Sequence, residues 1–144
     1  MDSTDEWTSV AVCGAHMSGL PLNPQLLGLG GQLQSRTTTA PRYRLYRLHG
    51  FEPPRPGLVR AAAGGLAIEV EVWRLPIEQY GRLVRIVPAP LCIGTLELAD
   101  GGLVQGFLCE NYAADGAEDI SAFGGWRGYL DAQATHDSGP VRAK

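Results

Sequence analysis

The sequence predicts a single mixed domain of the α+β class, and three observations carry that prediction. A chain of 144 residues is long enough for one sizeable core and too short for two ordinary ones. Segments with the two-residue period of a strand, clearest from Ala67 to Leu75, are interrupted by stretches with helical spacing, clearest from Pro76 to Val87. Asp100-Gly101-Gly102 lies between two apolar runs, the local signature of a hairpin. Composition agrees: 44% apolar and 19% charged residues are globular values, and 19 Gly with 10 Pro announce many turns without disorder.

In chain order, residues 1–9 read as an N-terminal tail, 10–131 as the domain and 132–144 as a flexible C-terminal tail. Val10 to Cys13 is a short buried strand that opens into the loop Gly14-Ala15-His16-Met17-Ser18-Gly19-Leu20-Pro21. Asn23 followed by Pro24 reads as an N-cap with proline at the first helical position, starting a short helix that ends at Gly30-Gly31. Leu33 to Ala40 and Arg42 to Leu48 alternate as strands around a bend at Pro41, with Tyr43 and Leu45 on one face and Arg42, Arg44 and Tyr46 on the other. His49 to Pro56 is a proline-rich loop, Leu58 to Ala63 a further strand, and Gly64-Gly65 a tight turn. In the strand Ala67 to Leu75, Ile68, Val70 and Val72 point one way and Glu69, Glu71 and Trp73 the other. The helix from Pro76 is stopped by Pro88, and its apolar face serves the core or, alternatively, a homodimer contact. Leu91 to Ala99 and Leu103 to Asn111 form the hairpin, Ser121 to Asp131 a weak helix, and Thr135 to Lys144 a frayed end.

Charge and motifs narrow the function classes. With 12 basic and 15 acidic residues, net −3, the chain lacks the basic excess of a nucleic-acid binder. No apolar window approaches the 18 residues of a membrane span, and no basic n-region opens a signal peptide, so a cytoplasmic protein without membrane attachment is expected. Cys13, Cys92 and Cys109 are odd in number and sit in apolar runs, which suits reduced core residues. Residues 32–60 hold six Arg against one acid, while 97–126 hold six acids and no base; the two stretches either face one another or line different rims. Phosphate loops, dinucleotide fingerprints, nucleophile elbows and metal-ligand spacings are missing, so neither cofactor nor metal is expected. The loop from Gly14 to Gly19, leading into a helix, presents amides suited to a small carboxylate; the alternative is that its glycines merely make the turn and His16 lies at the surface.

These residues carry a family resemblance. Val12-Cys13-Gly14-Ala15-His16-Met17-Ser18-Gly19-Leu20-Pro21-Leu22-Asn23, with Thr39-Ala40-Pro41-Arg42-Tyr43-Arg44-Leu45-Tyr46, Pro56-Gly57-Leu58, Glu69-Val70-Glu71-Val72-Trp73, Pro88-Ala89-Pro90-Leu91, Gly106-Phe107-Leu108 and Phe123-Gly124-Gly125-Trp126, resembles the C-terminal domain of allophanate hydrolase over roughly residues 10–130. The resemblance implies a gamma-glutamylcyclotransferase-like fold, a mixed barrel-like sheet with a few short helices and a ligand site beside the first strand's loop. It implies decarboxylation of N-carboxycarbamate, the second step of allophanate breakdown, and not the amidase step. Cyclotransfer is not expected, because the segment where that fold family keeps its glutamate reads Tyr80-Gly81-Arg82-Leu83-Val84-Arg85 here.

Loss of carbon dioxide from an N-carboxylate needs a cationic cradle and a proton donor. His16 fits the donor role. Arg42 or Arg44 would pair a carboxylate by a forked contact, Glu71 would orient His16 or an arginine, and Gly14, Ala15, Met17 and Tyr43 would form the wall. A module that binds a small anionic carboxylate or carbamate without catalysis, working with a separate amidase, is the reading from another class.

Overall fold

The computed structural model describes residues 6–137; of the expected tails, 1–9 and 132–144, residues 1–5 and 138–144 lie outside the described residues, while Trp7 to Ser9 belong to a strand and residues 132–137 to a helix. Two antiparallel-rich sheets pack on one core. The larger has strands in the order β2-β5-β1-β7-β6, built from β1 (Trp7–Val12), β2 (Gln32–Thr38), β5 (Glu69–Pro76), β6 (Leu91–Glu97) and β7 (Leu103–Cys109). The smaller is β4-β3-β8, from β3 (Tyr43–Arg47), β4 (Pro56–Arg60) and β8 (Glu118–Asp119). Helices α1 (Asn23–Gly28), α2 (Ile77–Arg85) and α3 (Trp126–Asp137) complete the domain. The sheets do not close into a barrel, which corrects the barrel-like half of the expectation.

The strong local signals hold. β5 and the β6–β7 hairpin lie where alternation and Asp100-Gly101-Gly102 put them, with Leu91 opposite Cys109 and Glu97 opposite Leu103. The first strand begins at Trp7 rather than Val10, because β5 is eight residues long and pairs β1 from Trp7 opposite Pro76 to Val12 opposite Glu71. The weak helix expected from Ser121 is a 3-10 turn (Ser121–Phe123) followed by α3, which starts after the left-handed Gly124 and continues past Asp131 to Asp137.

One pairing fixes the position of the site. β1 runs parallel to β7, with Ala11 beside Gly106. A Cβ at Gly106 would lie 2.7 Å from the Ala11 carbonyl oxygen, so the close approach needs glycine there. The core is filled by Val10, Val12, Leu45, Leu58, Ile68, Val70, Leu75 and Leu96, all buried, with Trp126 and Tyr129 of α3 closing one end. Each such side chain contributes roughly 1.5–3 kcal/mol by leaving water. Among the described residues, no helix is long and apolar enough to cross a membrane.

The charge asymmetry is resolved by the fold. The basic and acidic stretches face one another: Arg42 Nε lies 3.1 Å and Arg60 3.7 Å from Glu97, and Arg44 Nε lies 2.9 Å from Asp119.

Candidate functional site

The loop between β1 and α1 is built around His16. Met17 N–H donates to the Gly14 carbonyl and Leu22 N–H to the Ala15 carbonyl. Asn23, expected as a helix cap, instead donates from Nδ2 to the His16 carbonyl at 2.9 Å, while α1 has no side-chain cap. The loop's turn and the first residue of the helix are thereby tied together across the histidine. Gly14 allows the loop to meet the start of β4, since a Cβ there would lie 2.5 Å from Pro56 Cδ.

His16 is buried, 5% exposed. Its Nε2 lies 2.7 Å from Gln25 Oε1; an amide oxygen accepts, which makes Nε2 the protonated nitrogen of the neutral ring and leaves Nδ1 without a protein partner among the described residues. The ring packs on Phe107 of β7 with centroids 4.9 Å apart. Burial lowers the imidazole pKa below its ordinary value; the Gln25 bond opposes this, and the positive charge of Arg55 adds to it.

His16, Gly14 and Ala15 line a cavity with Cys13, Arg55 and Phe107. The cavity is small, about 20 Å³, room for about one water molecule. Cys13 contributes a neutral wall, since burial first and neighbouring Cys109 second push its thiol up to about 12.

Of the other residues expected at the site, Met17 lies wholly buried in the core beneath the loop. Tyr43 is not a cavity wall: it is fully buried, and its hydroxyl accepts the Glu97 N–H at 2.9 Å, stitching β3 to β6. Arg42 and Arg44 do not line this cavity; they pair with Glu97 and Asp119 at the surface. The loop amides are also largely committed, Met17 N–H to Gly14 and Ser18 N–H to Glu71. The cation that does line the cavity is Arg55, from the Pro-rich loop before β4. Its signal in the sequence was an arginine held between prolines in the basic stretch, and nothing local distinguished it from its five Arg neighbours there.

Glu71 does not touch His16; it orients arginines and the loop. At 1% exposure, it accepts from Ser18 N–H at 2.7 Å, Trp73 Nε1–H at 3.0 Å, Arg36 Nε at 3.3 Å and Arg127 NH2 at 2.9 Å. Arg127 also donates to the Ser18 carbonyl at 2.7 Å. The segment two residues beyond His16 is thus clamped on both sides of Ser18, by β5 and by α3. Burial alone would raise the Glu71 carboxyl, but the Ser18, Trp73, Arg127 and Arg36 donors outweigh it and hold the group below its ordinary value. Glu69 lies apart from the cavity, in an open groove with Arg36 and Arg127. Among the described residues, no group of three or more His, Cys, Asp or Glu could hold a metal ion.

A model of the allophanate hydrolase C-terminal domain family matches residues 8–131. The chain belongs to that family. Among curated proteins, the urea amidolyase of Saccharomyces cerevisiae is 40% identical over 133 residues, covering 88% of this chain and 7% of that protein. Among solved structures, the Kluyveromyces lactis allophanate hydrolase superposes with a TM-score of 0.85 at 36% identity, covering 92% of this chain and 22% of that one. A uropathogenic E. coli-specific protein superposes at 0.81 and 37%, covering 88% of this chain and 97% of that one. The family domain thus occurs both as a small part of a large enzyme and as nearly the whole of a solved chain. A gamma-glutamyl cyclotransferase at 10% identity and a TM-score of 0.53 shares the fold alone.

Proposed function

We propose that this domain decarboxylates N-carboxycarbamate, the dianion left when an amidase hydrolyses allophanate, with His16 as the general acid. The observation that carries the reading is the enclosed His16 itself: its Nε2 is fixed by Gln25, and its ring lies in the wall of a cavity beside a cation, in a chain of this family.

The chemistry follows from the proton balance. Loss of carbon dioxide breaks one N–C bond, the electron pair stays on nitrogen, and a proton must reach that nitrogen to leave carbamate. Burial first, and Arg55 after it, lower the His16 pKa and so disfavour imidazolium. A bound dianion offsets the Arg55 charge and favours imidazolium, so the proton is taken up with the substrate. With Nε2–H held by Gln25, the transferable proton sits on Nδ1. A positioned general acid of this kind contributes about 10²–10⁴-fold.

A second reading keeps the site without catalysis, as a carboxylate-binding module that assists a separate amidase. It is favoured by the solved E. coli relative, in which the same domain makes up 97% of the chain. The two readings separate when carbon dioxide release from allophanate is followed with an amidase domain lacking its own C-terminal part. Decarboxylation predicts faster release on adding the wild type and no acceleration from His16→Asn. Release unchanged by the wild type overturns it.

A further inference from the structure

We propose that Arg55 is the residue that binds the substrate's carboxylate, so that the cavity is a site for small dicarboxylates of the carbamate type. The inference rests on the reading of the cavity as the decarboxylation site and names the group that seats the anion there.

The argument starts from an unsatisfied donor. Arg55 Nε is enclosed and has no hydrogen-bond partner among the described residues. A buried guanidinium N–H without a partner is costly, and in native structures such a group is met by an ordered water, an ion or a bound ligand. The other arginines of the same stretch that form ion pairs, Arg36, Arg42, Arg44 and Arg60, are matched to Glu71, Glu97 and Asp119. No carboxylate lies within ion-pair distance of Arg55 among the described residues.

Its placement is held from both sides. The guanidinium carbon lies 5.0 Å over the centre of the Phe51 ring, a cation–π contact that supports a flat cation without occupying its N–H donors. Pro54 and Pro56 flank it in sequence, and Pro56 packs on Gly14 of the His16 loop. Arg55 and His16 therefore line one cavity from two separate loops. Of a dianion with its two carboxylates joined through one nitrogen, one carboxylate is the group proposed for the guanidinium and the bridging nitrogen the atom proposed for the imidazole. A monocarboxylate can satisfy only the first contact. Forked recognition of this kind is a property of arginine that lysine does not reproduce.

Malonate, in which a methylene replaces the bridging nitrogen, is the probe. Its binding is followed by calorimetry and by the ring resonances of His16. The wild type is expected to bind malonate with a shift of those resonances, Arg55→Met to bind at least tenfold more weakly, Arg55→Lys to fall between, and Arg82→Met, on the exposed side of α2, to match the wild type. Should the Met variant fail to fold, the Lys variant carries the comparison, since it keeps the charge and loses the fork. Malonate affinity unchanged in Arg55→Lys and Arg55→Met overturns the inference, as does a wild type that does not bind malonate. If binding depends on Arg55 while carbon dioxide release is not accelerated, the decarboxylase reading fails and the site stands. If Arg55→Met releases carbon dioxide as the wild type does, Arg55 is excluded and the reading stands.

Discussion

At the scale of single residues, Glu71 shows how a role can be legible in kind while the choice between its partners is not. Its place in a strand with Glu69 and Trp73 marked it as a carboxylate that could orient something, and it orients Arg36, Arg127 and the Ser18 amide rather than His16. Those partners come from β2, α3 and the first loop, and no local pattern encodes their meeting. The same holds for Arg42 and Arg44, whose acidic partners lie in the distant stretch that begins at Glu97. Glu71→Gln keeps an acceptor for the Ser18 N–H and loses the charge facing two arginines. It is expected to cost about 2 kcal/mol in urea unfolding, more than Arg42→Met, whose exposed pair with Glu97 is worth less than about 1 kcal/mol. Equal losses in the two variants would show that the clamp on Ser18 is not what holds this corner.

At the scale of elements, the readable parts are those with local cues. The β6–β7 hairpin announces itself in Asp100-Gly101-Gly102, where Gly101 adopts φ +88° and the Gly102 N–H donates to Asp100 Oδ1 at 2.8 Å. The parallel pairing of β1 with β7 has no such cue, because it joins segments almost a hundred residues apart. It surfaces only as a glycine, Gly106, inside a strand. Gly106→Ala is expected to destabilise the protein by about 1–3 kcal/mol, because the new methyl meets the Ala11 backbone rather than a side chain that can swing away. Thermal unfolding reads this directly, and a variant as stable as the wild type would mean that β1 and β7 can separate freely. Two-residue β8 was invisible in the sequence for a related reason: its place is set by Tyr46 opposite Asp119 and Arg47 opposite Glu118.

At the scale of the whole molecule, stability should record two of the buried titratable groups, His16 and Glu71, in separate pH windows. His16 is held below its ordinary value of 6.5 in the folded state, so the unfolded chain binds the proton first. Its contribution is complete above about 6.5 and is lost as pH falls toward the lower folded value. Glu71, also lowered from 4.5, stabilises above that value and loses its contribution as pH falls below it. Denaturant unfolding between pH 7.5 and 3 should therefore show two declines, with His16→Asn removing the upper one and Glu71→Gln reducing the lower, which Asp119, held below 3.8 against its burial by Ser121 and Arg44, shares. The central claim concerns the cavity, whose histidine was legible in Gly14-Ala15-His16-Met17 and whose arginine was not, because its meaning lies in having no partner once the chain is folded. The most direct measurement follows the intermediate itself, by carbon-13 NMR of labelled allophanate turned over by an amidase domain lacking its own C-terminal part. The wild-type protein is predicted to shorten the lifetime of N-carboxycarbamate, and His16→Asn to leave it as long as in the protein's absence; a lifetime the wild type does not change would contradict the account.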